Sequence, residues 1–262
     1  MTQWYHSIEL APGEVTPGWF DTRAAAAKVP LPQDLTGKRC LDVGTWDGFW
    51  AFEMEKRGAA EVVAIDIDDP DRWDWPPRER LDPDRLAMQV LAAVKGRGEG
   101  FRTAHERLGS RVERQNLSVY DLDPTKLGHF DVVFLGSLLL HLRDPVLALE
   151  RIRGVCAGIA VVADTVELLP SLRHPRRPIV RLEGVERPWW WQPNRAALLR
   201  MVQSAGFTIE EATQIYFVPT GAGHPQPPRL SLPRKLGTAR GREEVVVALR
   251  GVPHVAVRAR PA

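Results

Sequence analysis

The sequence predicts an α/β fold in which helices cover both faces of a mostly parallel, doubly wound sheet of seven strands. Two observations carry this prediction. The first is a unit of strand, glycine turn, helix and strand over residues 39–66. The second is the alternation of apolar runs with helical segments, which continues from there to residue 207.

The unit at residues 39–66 is the most informative part of the chain. Arg39–Val43 is a short apolar run, and Gly44 after it allows a sharp turn because glycine has no Cβ atom. Gly48 permits close packing or close approach of a ligand. Glu61–Asp66 is a continuous apolar run, as in a strand covered on both faces, and Asp66 at its tip is placed to accept hydrogen bonds from two ribose hydroxyls. This arrangement is typical of a Rossmann-like, nucleotide-binding half-fold.

Further apolar runs and helical segments continue the same pattern. The strands predicted next are Val112–Leu117, Phe130–Leu135 and Ile159–Ala163. The helices predicted before, between and after these strands include Phe101–Leu108, Pro145–Val155 and Arg195–Ala205. At the end of the chain, Glu243–Leu249 and Pro253–Arg258 are predicted to pair as a closing hairpin.

The residues of the turn indicate which class of ligand the site binds. A dinucleotide fingerprint is Gly-x-Gly-x-x-Gly, whereas here Gly44 and Gly48 are separated by three residues that include Trp46 and Asp47. Asp47 repels a pyrophosphate, and Asp42 adds a second acid. An acidic turn suits a ligand with a cationic ammonium group, such as S-adenosylmethionine. A dinucleotide site, or a strand–turn–helix without any ligand, are the alternatives.

The unit resembles motif I and the following acidic strand of class I S-adenosylmethionine-dependent methyltransferases. Together with Ser137–Pro145 and the Trp191–Asn194 segment that leads to Phe207, it is similar to one subgroup over roughly residues 38–215. That subgroup contains the tRNA wobble-uridine carboxymethyltransferase family and its small-molecule methyltransferase relatives. The resemblance implies S-adenosylmethionine as the cofactor.

The donor site implied by the resemblance lies at the carboxyl ends of the first four strands. Its expected residues are Asp42, Gly44, Thr45, Trp46, Gly48, Asp66, Ile67, Ser118, Tyr120, Asp121, Gly136 and Ser137. Asp121 is the candidate for the adenine, and a helix N-cap is an equally good interpretation of it.

Two departures from the tRNA enzymes favour a different acceptor. In those enzymes a Tyr before the His of the fourth-strand loop helps to hold the extra carboxylate of carboxy-S-adenosylmethionine, whereas this chain has Leu140, which cannot hydrogen-bond a carboxylate. They also carry a longer N-terminal region. Both points indicate ordinary S-adenosylmethionine and a small-molecule acceptor in bacterial secondary metabolism. A tRNA base methyltransferase and a non-catalytic S-adenosylmethionine-binding protein are the alternatives.

Candidate acceptor-side residues come from the fourth-strand loop, the N-terminus and a tryptophan run. His141 is the first candidate for a general base, and His6 is the second. Structural or binding roles remain open for His141. The aromatic candidates on the acceptor side are Tyr5, Trp19 and the run Trp189, Trp190 and Trp191. The run suits a planar acceptor or a sulfonium charge, and core packing of at least one of the three is the alternative. Asn194 follows the run as an acceptor contact or a helix N-cap.

Composition sets the broad class. The chain has 262 residues, 44% hydrophobic and 26% charged, which is typical of a globular protein. No membrane span, signal peptide or metal spacing is apparent, and the two cysteines form no disulfide framework, so we expect a cytoplasmic protein. The net charge of +2 with basic patches near residues 173–181 and 221–262 leaves nucleic acid possible but not favoured.

The expected organisation is an N-terminal cap over residues 1–35 and a methyltransferase domain over residues 36–262. Within that domain, residues 68–110 form an insertion after strand two, with a helix over residues 85–95. Residues 165–194 form a segment on the acceptor side. The oligomeric state is not predicted.

Overall fold

A computed structural model describes residues 3–77, 93, 95–185, 189–225 and 239–262. The strands are β1 (Trp4–His6), β2 (Glu9–Ala11), β3 (Glu14–Val15), β4 (Gly18–Phe20), β5 (Arg39–Val43), β6 (Glu61–Asp66), β7 (Glu113–Asn116), β8 (Phe130–Gly136), β9 (Cys156–Thr165), β10 (Val180–Leu182), β11 (Trp191–Pro193), β12 (Phe207–Ala212), β13 (Tyr216–Val218) and β14 (Val252–Pro261). The helices are α1 (Arg23–Ala26), α2 (Phe49–Lys56), α3 (Glu99–Leu108), α4 (Pro124–Leu127), α5 (Pro145–Val155), α6 (Leu168–Arg173), α7 (Arg195–Ser204) and α8 (Ala239–Arg250).

The central sheet has the strand order β12–β14–β9–β8–β5–β6–β7. Strands β7, β6, β5, β8 and β9 pair in parallel, and β14 runs antiparallel to both of its neighbours along this path. The predicted mostly parallel α/β sheet is therefore confirmed. Within the described residues the sheet has eight strands where seven were predicted, because β13 pairs with the start of β14.

Successive side chains of the inner strands point to opposite faces of the sheet and contribute to two apolar cores, one on each face. On one face Cys40 and Phe134 pack with Met54 of α2. On the other face Leu41 and Val133 pack with residues of α5 and α7. Burying both faces under helices explains why these strands read as nearly continuous apolar runs.

The predicted closing hairpin is wrong. Ala239–Arg250 is helix α8, and only Val252–Pro261 forms a strand. The apolar stretch before Arg250 resembles a strand because it is rich in β-branched valine. However, β14 already pairs with β9 on one side and with β12 and β13 on the other, so it offers no edge to a further strand.

The insertion after β6 is described only in part. It contains a 3-10 turn at Pro70–Arg72, another at Gly96–Gly98, and helix α3. The predicted helix over residues 85–95 lies outside the described residues except at Ala93 and Lys95. In the part of the chain that the structure describes, no helix is both long enough and apolar enough to cross a membrane.

The N-terminal residues pack onto the domain as a small strand pair. Strand β1 pairs in parallel with β4, and Phe20 bridges to Thr220 in a loop near the C-terminus. Gly18 makes this close pairing possible, because a Cβ atom there would lie 2.2 Å from the carbonyl carbon of His6. The cap is thus held between the domain and residues 219–224, where Asp21 N and Gly221 N complete backbone hydrogen bonds.

Gly18→Ala is expected to destabilise the protein by about 1–3 kcal/mol, because the added methyl group forces β1 and β4 apart. Gly154→Ala in helix α5 is the matched control. A Cβ atom at Gly154 meets nothing within 4 Å, and the change is expected to stabilise by about 0.5–1 kcal/mol. Chemical unfolding measures both variants. Equal stability of the two would contradict the tight pairing of the cap strands.

Candidate functional site

The glycine turn after β5 is closed by backbone hydrogen bonds. Gly44 has φ +76°, and its N–H and that of Thr45 both donate to Ile65 O, at 2.9 and 3.1 Å. Gly48 has φ +95°, and a Cβ atom there would lie 2.4 Å from the ring of Phe52. Of the two predicted uses of Gly48, the structure therefore shows close packing.

Asp66 at the tip of β6 organises the turn. Trp46 has the unusual φ of +51° for a residue with a side chain, and this conformation directs its N–H to Asp66 Oδ2 at 2.7 Å. Ile67 N donates to Asp66 Oδ1 at 2.7 Å, and the ammonium of Lys95 forms an ion pair with the same oxygen. The predicted ribose acid is thus at the expected strand tip, but it already has three donors.

Asp42 supplies a buried carboxylate directly before the turn. Burial raises its pKa to about 7, with the nearby Asp66 raising it further and with Thr45 and His6 lowering it. Asp42 Oδ2 is buried and has no hydrogen-bond partner among the described residues. An unpartnered buried carboxylate oxygen is costly unless a cation or a hydrogen-bond donor completes it.

Asp47 does not face a ligand, and in this respect the sequence interpretation was wrong. Asp47 is 1% exposed, and the cap supplies the partners of its carboxylate: Tyr5 N and His6 N donate to Oδ2 at 2.8 and 2.7 Å, and His6 Nδ1 pairs with Oδ1. The ring of His6 stacks on Phe49. His6 therefore anchors the cap to the turn, and this pairing is the role that the structure shows for it.

An aromatic cluster of the cap contacts the turn through Tyr5. The ring of Tyr5 lies 4.6 Å from that of Trp46, with Phe20 at 5.0 Å and Trp19 at 6.2 Å between ring centres. Burial raises the pKa of the Tyr5 phenol, and the carboxylate of Asp164 raises it further. Tyr5 thus contacts the turn through Trp46 and feels the charge of Asp164 at the end of β9.

Asp164 at the end of β9 was not identified from the sequence. Its Oδ2 accepts from Leu138 N and Leu139 N at 3.1 and 2.8 Å, and its Oδ1 accepts from Thr165 N at 2.7 Å. Burial raises its pKa to about 7, although these backbone hydrogen bonds act in the opposite direction. Asp164 thereby holds the start of the 3-10 turn Leu139–His141, which carries the predicted base His141.

A second missed group is His254, which faces the predicted donor-site residue Ser137. His254 Nε2 lies 2.9 Å from Ser137 Oγ, and its Nδ1 lies 2.9 Å from Val252 O. A carbonyl oxygen can only accept, so Nδ1 carries the proton and Nε2 accepts from the Ser137 hydroxyl. Burial lowers the pKa of His254 to about 4, which keeps the ring neutral. Ser137 follows Gly136, the last residue of β8, and has φ +49°.

The tryptophan run fastens three segments together. The indole N–H of Trp190 donates to Asp74 O at 2.5 Å, and that of Trp191 donates to Arg143 O at 3.0 Å. Trp190 N also donates to Leu140 O at 2.8 Å. These bonds join the insertion and the segment before α7 to the His141 turn, and the aromatic wall for an acceptor stays a prediction. Trp189 is half-buried.

Asn194 does not contact an acceptor, and that prediction was wrong. Its side chain is 0% exposed and caps α7 by accepting from Ala197 N at 2.9 Å. It also accepts from Ile179 N and donates to the carbonyl oxygens of His174 and Arg177. With two bonds accepted and two donated, its hydrogen-bonding capacity is full.

The loop after β7 is built differently from the prediction. Ser118 caps the 3-10 turn Val119–Asp121 by accepting from Tyr120 N at 3.2 Å. The hydroxyl of Tyr120 donates to Asp74 at 2.9 Å and accepts from Asp144 N. Asp121 is exposed and does not cap a helix, because Asp123 is the N-cap of α4.

The comparisons agree with this geometry. A family model described as "Methyltransferase domain" matches residues 18–212, so the chain belongs to the methyltransferase-domain family, and the resemblance to class I S-adenosylmethionine-dependent methyltransferases is confirmed. A tRNA U34 carboxymethyltransferase of Dichelobacter nodosus is 27% identical over 67% of this chain and 47% of that protein. One of Ectopseudomonas mendocina is 30% identical over 66% and 46%. The chain thus spans about half the length of these relatives.

The chain is also similar to other methyltransferases. A magnesium-protoporphyrin O-methyltransferase of Rhodobacter capsulatus is 30% identical over 48% of this chain and 43% of that protein. Among solved structures, a chain from a complex of the Haloferax volcanii Trm112 methyltransferase activator with a methyltransferase aligns with TM-score 0.51 and 15% identity, covering 93% of this chain and 90% of that one. This structural likeness supports the fold alone.

The buried Asp164 predicts a specific dependence of stability on pH. Its pKa is raised to about 7 in the folded protein. The stabilisation that it contributes is therefore complete below its unfolded-state pKa of about 3.9 and is lost as the pH rises through about 7. The free energy of unfolding of the wild type, minus that of Asp164→Asn, is expected to fall between pH 4 and 7 and to level off above pH 8.

Urea unfolding at several pH values measures this difference. The opposing contribution of His254, whose lowered pKa weakens stability as the pH falls towards 4, is common to both proteins and cancels in the subtraction. A difference that stays constant with pH would show that Asp164 is not the buried acid described above.

Proposed function

We propose that this protein is an S-adenosylmethionine-dependent methyltransferase that methylates an oxygen or nitrogen atom of a small molecule in bacterial secondary metabolism. The observation that carries the proposal is the pairing of the Gly44 turn with two acids at one edge of the sheet. Asp66 lies at the tip of β6, and Asp42 has a buried oxygen without a partner. A nucleoside with an ammonium group provides donors for both acids.

The residues present fit this donor. The α-ammonium group supplies the cation and hydrogen-bond donor that Asp42 Oδ2 lacks. The ribose hydroxyls supply donors for Asp66, whose position is fixed by Trp46 N and Ile67 N. The ring of Trp46, held by Tyr5, offers an apolar surface beside that acid. Asp47 has no part in donor binding, because the cap fills its carboxylate.

When bound, S-adenosylmethionine supplies a methyl group that is already activated by its sulfonium charge. The protein therefore has to orient the two reactants and exclude water. The cap supports the exclusion of water, since Tyr5 packs on Trp46 of the turn and is itself backed by Trp19 and Phe20. Orienting the two reactants needs rigid loops. Asp164 and Trp190 hold the His141 turn through hydrogen bonds to its backbone.

An acceptor hydroxyl or amine also loses a proton. His141 lies on the 3-10 turn at the carboxyl edge of the sheet and is half-buried, which supports its role as the base. His254 is less suited to that role, because burial lowers its pKa to about 4. Its bond to Ser137 instead leaves the Ser137 oxygen free to accept from the ligand.

A tRNA base methyltransferase is the second candidate, supported by the tRNA U34 carboxymethyltransferases among the relatives. Against it stands Leu140, whose side chain offers no hydrogen bond to a carboxylate. The magnesium-protoporphyrin enzyme shows that a small-molecule acceptor occurs among the relatives as well. A non-catalytic binder remains a third interpretation.

Asp42→Asn is expected to weaken binding of S-adenosylhomocysteine by about 10-fold or more, because a charged hydrogen bond contributes about 1.5–3 kcal/mol. Binding of 5′-methylthioadenosine, which lacks the ammonium group, is expected to stay unchanged. Calorimetric titration measures both ligands, and Glu150→Gln on the exposed face of α5 is the matched control. An equal loss of affinity for both ligands would contradict the proposed contact between Asp42 and the ammonium group.

His141→Ala separates the candidate functions. With radiolabelled S-adenosylmethionine and a bacterial extract, we expect label in the small-molecule fraction with the wild type and at least a 100-fold lower rate with the variant. Affinity for S-adenosylhomocysteine is expected to be unchanged. Label in the tRNA fraction, with binding that weakens steeply as salt rises, would favour the second candidate. Donor binding without label in any fraction would favour the third.

A further inference from the structure

The ion pair between Lys95 and Asp66 occupies the position that the proposed donor needs. Asp66 Oδ1 accepts from Ile67 N and from the Lys95 ammonium, while Oδ2 accepts from Trp46 N. An ionised carboxylate has about four acceptor positions, two on each oxygen. Oδ1 is therefore full and Oδ2 has one position left, so a second ribose hydroxyl has no place while Lys95 stays.

The ammonium of Lys95 is held on three sides. Besides Asp66, the ring centre of Trp73 lies 4.7 Å from Nζ and that of Trp46 lies 5.0 Å from it. Lys95 is only 6% exposed. A lysine is almost never buried to this extent without a partner, and here a carboxylate and two aromatic faces together replace its water shell.

The backbone beside Lys95 is bent in an unusual way. Gly96, Arg97 and Gly98 have φ values of +50°, +52° and +79°, three successive residues in the left-handed region. Arg97 has no glycine freedom, and such a conformation is retained only where the surroundings fix it. Gly98 packs against the ion pair of Arg114 with Asp68, which anchors this bend next to β6. The bend directs Lys95 inwards to the acid.

We propose that Lys95 is a competitor built into the donor site, whose ammonium occupies the ribose position on Asp66 and is displaced when the donor binds. This inference rests on the proposed function, since it concerns the same acid. The chain's own ammonium and the two ribose hydroxyls exclude each other. The affinity for the donor is therefore lower than it would be without Lys95 on Asp66. A bound donor releases the Lys95 side chain from Asp66.

Lys95→Met tests the competition, because methionine keeps an unbranched apolar side chain and removes the charge. Calorimetric titration with S-adenosylhomocysteine is expected to show about 10-fold tighter binding than the wild type, within the usual range of coupling between exclusive ligands. Lys95→Arg, which keeps a cation on Asp66, is expected to bind no more tightly than the wild type. The matched control is Lys56→Met, whose side chain is 79% exposed.

A second pair of ligands tests whether the effect depends on the ribose hydroxyls. Lys95→Met is expected to tighten binding of adenosine but not of 2′,3′-dideoxyadenosine, which lacks both hydroxyls. Weaker or unchanged binding of S-adenosylhomocysteine by the variant would overturn the proposal, because Lys95 would then be a donor ligand or a bystander. Should Lys95→Met fold poorly, Lys95→Leu, which also has no hydrogen-bond donor, gives the same comparison with circular dichroism as the folding check.

Failure of this inference is distinguishable from failure of the proposed function. If the wild type binds S-adenosylhomocysteine and Asp66→Ala does not, the donor site stands and the Lys95 result alone decides the competition. If neither the wild type nor any Lys95 variant binds this ligand, the proposed function and the inference both fall.

Discussion

Buried carboxylates at one edge of the sheet are the constraint on which the rest of the site depends. Asp42, Asp47, Asp66 and Asp164 are each 8% exposed or less. A buried acid without partners is so costly that each must either gain donors or take up a proton. The cap, the turn and the loop after β8 are arranged to supply those donors.

Each acid obtains its partners from a different part of the chain. Asp47 takes them from β1 of the cap, and Asp66 from the turn and Lys95. Asp164 takes them from the start of the His141 turn. Asp42 alone among these four acids keeps a buried oxygen without a hydrogen-bond partner. This difference separates the acids that shape the site from the one that is open to a ligand.

Local sequence patterns predicted the elements whose causes are local. Helix α5 begins at Pro145 after the N-cap Asp144, and its bounds agree with the prediction. The tip of β6 at Asp66 and the glycine turn were equally predictable, because a continuous apolar run and the conformational freedom of glycine are visible in the local sequence. The N-cap role of Asn194 was also visible, but its full set of four bonds was not.

The remaining features depend on contacts between distant residues. The partners of Asp47 lie 41 and 42 residues away, so a charge argument restricted to the turn assigned that acid to the ligand. His254 contacts Ser137, which is 117 residues away in sequence, only because β14 lies beside β9, and no local motif predicts this contact. The terminal hairpin failed for the same reason, since the free edge that it required is already paired.

The most direct test is a crystal structure of the full chain with S-adenosylhomocysteine. The expected result places the ribose hydroxyls within hydrogen-bond distance of the Asp66 carboxylate and the ammonium group against Asp42, with His6 still paired to Asp47. A nucleoside bound away from Asp66, or one whose ammonium group displaces the cap from Asp47, would contradict the assignment of these acids.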